Sequence, residues 1–70
     1  MWILTLKNNI NNIGFKINYH SYKSANIDFL KNLQHCRDLN DKIEFINDNE
    51  FKSYRKNKLC ITCKINDSDR

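Results

Sequence analysis

Cys60-Ile61-Thr62-Cys63 is the spacing in this chain most like a metal or redox motif, and Cys36, His35 and His20 bring the soft ligands to a number that would suit one zinc ion. A zinc knuckle, however, turns both thiols to one point on a tight turn. This motif lies in an alternating run, where positions i and i+3 face opposite ways. The expectation is a buried Cys63 and an accessible Cys60, with no metal and no thioredoxin-like exchange. His20 and His35 lack companions for acid–base work. Ser21 follows His20 directly, and adjacent strand residues diverge. No G-x-S-x-G, H-E-x-x-H or paired-carboxylate spacing is present, and Gly14 alone cannot build a phosphate loop. Neither an enzyme nor a cofactor-binding protein is expected.

The other chemistry-bearing stretch is basic. Tyr54-Arg55-Lys56-Asn57-Lys58, preceded by Lys52, is the densest run of cations and contains an aromatic. Arg and Lys contact phosphate, while Tyr54 can stack on a base or fill a pocket in a protein partner. A charge run of this kind is ordinarily just a solvated hairpin. The whole chain leans the same way, with 12 basic against 8 acidic residues, net +4 and a pI near 9.1. Such a surplus favours acidic partners, either phosphate backbones or acidic protein patches. RNA-binding sheets of the RRM type stack bases on several aromatics, and Tyr54 alone stands clearly on the basic side, which argues against sequence-specific reading.

These residues need a scaffold, and the hydropathy pattern supplies one. Trp2, Leu4 and Leu6 alternate with Ile3, Thr5 and Lys7. Phe15, Ile17 and Tyr19 alternate with Lys16, Asn18 and His20, and Leu59, Ile61, Cys63 and Ile65 with Cys60, Thr62 and Lys64. Lys42 to Asn47 and Phe51 to Lys56 follow more loosely, with Ile43, Phe45 and Phe51 on the apolar side. A period of two marks strands buried on one face. The open face would carry Lys7, Lys16, Lys52, Lys56 and Lys64 against one acid, Glu44. A short helix over Glu50 to Asn57 is the alternative its Glu and Lys content permits, but the alternation favours a strand.

Between strands one and two, Asn8 to Gly14 offers turn chemistry, with Gly14 the natural site for positive φ. Ser24 is the candidate N-cap of a helix of about three turns, with Asp28 in its first turn and Arg37 at its end. Its apolar stripe is Ala25, Phe29, Leu30, Leu33 and Cys36. Asn47 to Glu50 and Lys56-Asn57 read as turns. The result is an α+β domain, β-β-α-β-β-β, over residues 1–65, with its helix across the apolar face and a frayed tail over 66–70. Leu30 and Ile61 are expected in the core, and Lys52, Arg55 and Lys56 exposed and dispensable to the fold.

Seventy residues make one domain near the lower size limit for independent folding, with no space for a deep enclosed pocket. Twelve Asn and nine Ile, with no Pro, are what AT-rich coding produces, and suit a low-GC bacterium or its mobile elements. Met1 to Leu6 lacks a basic n-region and a full apolar h-region, so no secretory leader is expected. No run approaches a membrane span. A cytoplasmic location follows, with the three cysteines as free thiols.

With these elements in hand, the chain resembles small phage-encoded anti-CRISPR proteins that block type I surveillance complexes. The likeness lies in the β-β-α-β-β-β order and in the piece from Ile43 to Cys63, with the pair Tyr54-Arg55, the basic turn Lys56-Asn57-Lys58 and a terminal strand holding Thr62 and Cys63; the helix ending near Cys36 is similar in placement. The resemblance implies occlusion, by docking on the crRNA-binding backbone subunits of a host CRISPR effector where target DNA would hybridise. The partner-binding set is expected to be Lys52, Tyr54, Arg55, Lys56 and Lys58, with Lys16 and Lys64. The alternative is a small phage regulator that binds DNA or RNA directly. Monomer and dimer remain equally open.

Overall fold

The alternating segments form five strands, β1 (Trp2–Asn8), β2 (Ile13–Tyr19), β3 (Lys42–Asn47), β4 (Glu50–Arg55) and β5 (Lys58–Asp67), with a helix α1 (Tyr22–Asp38) between β2 and β3. This is a computed structural model, and it describes residues 1–68. The strands make one antiparallel sheet in the order β2-β1-β5-β4-β3, so the α+β architecture read from the sequence is the one observed.

The helix covers one face. Ala25, Phe29, Leu33 and Cys36 recur at helical spacing and meet Leu4, Phe51, Cys63 and Ile65 from the sheet, all buried. Phe29 stands edge-on to Phe51 with ring centroids 5.2 Å apart. Two tyrosines fasten the helix at its flanks. Tyr19 of β2 donates its hydroxyl to Asp28, and Tyr22 donates to Asn49 in the β3–β4 turn. Leu30, expected in the core, is 50% exposed, because it lies beyond the stripe that Phe29 and Leu33 define.

The helix begins earlier than its expected cap. Ser21, in extended conformation, accepts the Ser24 N–H at 3.1 Å, so Ser24 sits inside the first turn and Asp28 well beyond it. At the other end Asn40 takes the left-handed conformation, φ 61°. Its N–H donates to Arg37 O and that of Asp41 to Cys36 O, the paired bonds of a Schellman ending. His35 and Arg37 lie in the last turn, where cations suit the helix dipole.

The turns depart from expectation in one respect. Gly14 lies inside β2 without positive φ, and Asn12 takes that role at 59°. A Cβ on Gly14 would meet Leu6 O at 3.2 Å, so close backbone approach, not turn geometry, favours the glycine. Asn8, Asn11 and Asn47 each accept the N–H two residues on, as asparagine does in turns. Lys56 and Asn57 form a two-residue hairpin turn with φ of 52° and 65°. Asn66 to Ser68, expected in a frayed tail, are held instead. Asn66 and Asp67 pair with Ile3 and Trp2, and both the N–H and the hydroxyl of Ser68 donate to Met1 O. Residues 69–70 of that expected tail lie outside the described residues.

Candidate functional site

The sheet face away from the helix has regular chemistry. Because Leu4, Phe51, Ser53, Cys63 and Ile65 point inward, their neighbours along each strand point out. The register sets these neighbours in rows across the sheet. One row runs Lys16, Thr5, Lys64, Glu50; the next runs Gly14, Lys7, Thr62, Lys52, Glu44. Toward the β4–β5 turn, Tyr54 lies between Lys42 and Leu59. With strands about 4.8 Å apart, Lys16 and Lys64 stand about 10 Å apart across Thr5, as do Lys7 and Lys52 across Thr62.

Five lysines therefore share one face with Glu44 and Glu50. Among the described residues none of the five enters an ion pair. Lys7, Lys16 and Lys42 are exposed, whereas Lys52 and Lys64, nearer the middle, have half-buried stems. Glu44 is already engaged, since Tyr54 donates to it at 3.2 Å. Burial and this bond push the Tyr54 phenol up from its ordinary range. That contact ties the tyrosine to its own sheet and limits its freedom to stack on a base.

The seven expected partner-binding residues are thus divided. Lys16, Lys52, Tyr54 and Lys64 come together on the open face, and Lys7 and Lys42 join them. Lys56 lies in the turn and Lys58 opposite Arg55 at the end of the sheet, all outside the rows. Arg55 is a correction. It shares the inner side of β4 with Phe51 and Ser53 and donates to the fully buried carboxylate of Asp41 at 2.8 Å. It is part of the scaffold, although its side chain is 43% exposed. The acid Glu50 begins β4, a position that its polar neighbours Asn47 to Asn49 disguise as part of a turn. Lys42 was visible in the alternation with Ile43 and Phe45.

Cys60 is the second correction. The register shifts between Ser53 and Tyr54, so that Ile61 opposes Ser53 while Leu59 opposes Tyr54 and Cys60 is left over as a bulge. This extra residue turns Cys60 inward, where it is 1% exposed, and all three thiols are buried and free. Burial pushes Cys36 and Cys63 up, Cys63 to about 12. The buried Ser53 hydroxyl makes no hydrogen bond of ordinary geometry among the described residues, although it lies near enough to Cys36 to oppose that rise in part. Groups held protonated in this way make poor nucleophiles. Among the described residues no cluster of three or more His, Cys, Asp and Glu is arranged for a metal.

His20 follows β2 and is exposed, and the hydroxyl of the adjacent Ser21 is committed to the helix cap. No described helix is long and apolar enough to cross a membrane. In comparisons with known proteins, no family model, no curated protein and no solved structure matches this chain.

Proposed function

We propose that this chain is a small basic interaction protein, from a phage or another mobile element, that docks its open sheet face on a host CRISPR effector ribonucleoprotein and blocks access of the target nucleic acid. The observation that carries the reading is the pair of lysine–threonine rows, whose four lysines share one face with Lys42 and, among the described residues, enter no ion pair. Lysines at such spacing suit a surface that is itself negatively charged, whether through crRNA phosphates or acidic side chains. The choice of a CRISPR effector comes from the resemblance in strand order and in the piece from Ile43 to Cys63. The AT-rich composition fits a mobile element acting in the host cytoplasm. No catalytic or cofactor role is assigned.

The test is co-elution of the purified chain with effector complexes of a low-GC host, followed by target-DNA binding of those complexes with and without it. A stable complex with reduced target binding is expected. Failure with every effector class of the cognate host would end this reading.

A second reading, direct binding of DNA or RNA, is favoured by the same rows, since hydroxyl and ammonium groups together contact phosphates without regard to sequence. Its signature is affinity for naked nucleic acid that falls steeply between two salt concentrations. Fluorescence anisotropy measures this, and tight binding at physiological salt would give this reading precedence over the first.

A further inference from the structure

The sheet has two unpaired margins, and they differ. β3 carries Lys42 and Glu44, and its register breaks between Phe45 and Asn47; charges and a bulge both discourage a further strand. β2 has no such protection. Its seven residues pair with β1 in unbroken register, and its only charge is Lys16. On the helix side Ile13, Phe15 and Ile17 are 62%, 51% and 39% exposed, while Leu4, one strand inward, is 1% exposed. The helix stops short of this margin. A groove of about 320 Å³ opens between them, walled by Leu6, Ile13, Phe15 and Ile61, with Asn32 and His35 on the helical rim.

A strand added here must be apolar at alternate positions toward the groove and nearly uncharged on the other side. β2 is itself such a strand. We propose that β2 pairs antiparallel with β2 of a second copy about a two-fold axis, joining two five-stranded sheets edge to edge.

The charges select the register. Centring the pair on Lys16 would set like charges directly opposite, which is unfavourable. Centring it on Phe15 opposes Phe15 to its copy and Ile13 to Ile17 of the second copy. Lys16 then faces Gly14 of the second copy, the one residue type without a side chain, so its stem has space and its charge no direct opponent. Because the contact uses the same edge twice, it closes at two copies and builds no fibre. A strand of this length spans about 24 Å, and a sheet is about 10 Å thick, so the contact covers on the order of 240 Å² per copy before the groove is counted. That falls below the ~600 Å² per partner of stable complexes, and the dimer is accordingly weak and concentration-dependent. Both lysine faces would lie on the same side of the joined sheet. The inference does not rest on the docking reading above.

Sedimentation of the full chain from about 10 μM to about 1 mM, the range suited to small interfaces, is expected to show monomer passing to dimer. Phe15→Lys, which opposes like charges at the centre of the pair, and Ile17→Lys, which sets a cation against Ile13 of the second copy, should each weaken it at least about tenfold. A monomer at the highest concentration, or a dimer indifferent to both substitutions, would overturn the proposal. Backbone amide exchange on the unaltered chain keeps the test independent of variant folding. Amides of β2 should slow as concentration rises. Slowing on β3 instead would overturn it, as would slowing on β2 only after a ribonucleoprotein is added.

Discussion

Alkaline pH should destabilise this protein through Cys63. The residue lies in β5 between Leu6 and Phe51 of the flanking strands, with no solvent exposure. Burial, helped by the neighbouring Cys36, pushes its thiol from an ordinary 9.0 to about 12. A pKa raised on folding gives stability that is complete below the unfolded value and is lost as pH climbs from about 9 toward 12. At pH 10 the unfolded thiol is about nine-tenths ionised and the folded one still protonated, so the loss is RT ln 11, about 1.4 kcal/mol. In a domain of this size that lowers the melting temperature by about 6–11 °C. Cys36, also raised chiefly by burial, adds in the same direction. Tyr19, pushed from 10.0 to about 12 by burial and its bond to Asp28, adds mainly above pH 10. The assay is thermal melting under reducing conditions at pH 7 and pH 10, for the parent chain and for Cys63→Ala. The variant should lose about 1.4 kcal/mol less across that interval. An equal loss in both would show that Cys63 ionises freely in the folded protein and would refute the burial argument.

Replacing Lys16, Lys52 and Lys64 by Gln, which removes the charges without setting new carboxylates opposite Glu44 and Glu50, should abolish partner binding in a pull-down while shifting stability by no more than ~0.5 kcal/mol each in parallel melts. Arg55→Glu should depress the melting temperature well beyond that triple variant, because it sets a second carboxylate against buried Asp41. Phe29→Ala should cost ~3–5 kcal/mol in denaturant titration, whereas Leu30→Ala, half-exposed, should stay within about 1 kcal/mol. Lys56→Asn should raise stability by ~0.5–1 kcal/mol, since Asn carries less penalty at φ 52°, and unchanged partner binding by that variant would confirm Lys56 lies outside the docking face.

The period-two alternation of Trp2 to Lys7 and of Phe15 to Tyr19 was enough to place those strands, and with them the lysine face. It failed at Cys60 for a physical reason. A bulge is a property of the ladder between two strands, and the run from Leu59 to Ile65 looks uninterrupted when read alone. Arg55 shows the same limit. Alternation put it on the inner side, but only Asp41, carried there by the helix ending, gives a charge a reason to stay. Ser24 and Ser21 are equally good caps by residue type, and only the extended backbone of Ser21, with its side chain accepting the Ser24 N–H, separates them. Leu30 follows Phe29 in an apolar pair, and which of two adjacent apolar residues faces the sheet depends on the whole stripe. Edge exposure of β2 was illegible, because strand order is set by pairing that no local pattern records.

Of the five described strands, the last in sequence is the central one. β5 separates the hairpin of β1 and β2 from that of β3 and β4, and the two hairpins share no direct ladder. During synthesis, therefore, the first 57 residues can form only isolated hairpins and a helix without its floor, and lone two-stranded hairpins are marginal in water. The sheet cannot close without the segment Lys58–Asp67, which lies between the two hairpins and pairs Asp67 with Trp2. Contacts that far apart in sequence slow folding. A nascent chain halted before Lys58 would leave two apolar hairpins open to aggregation.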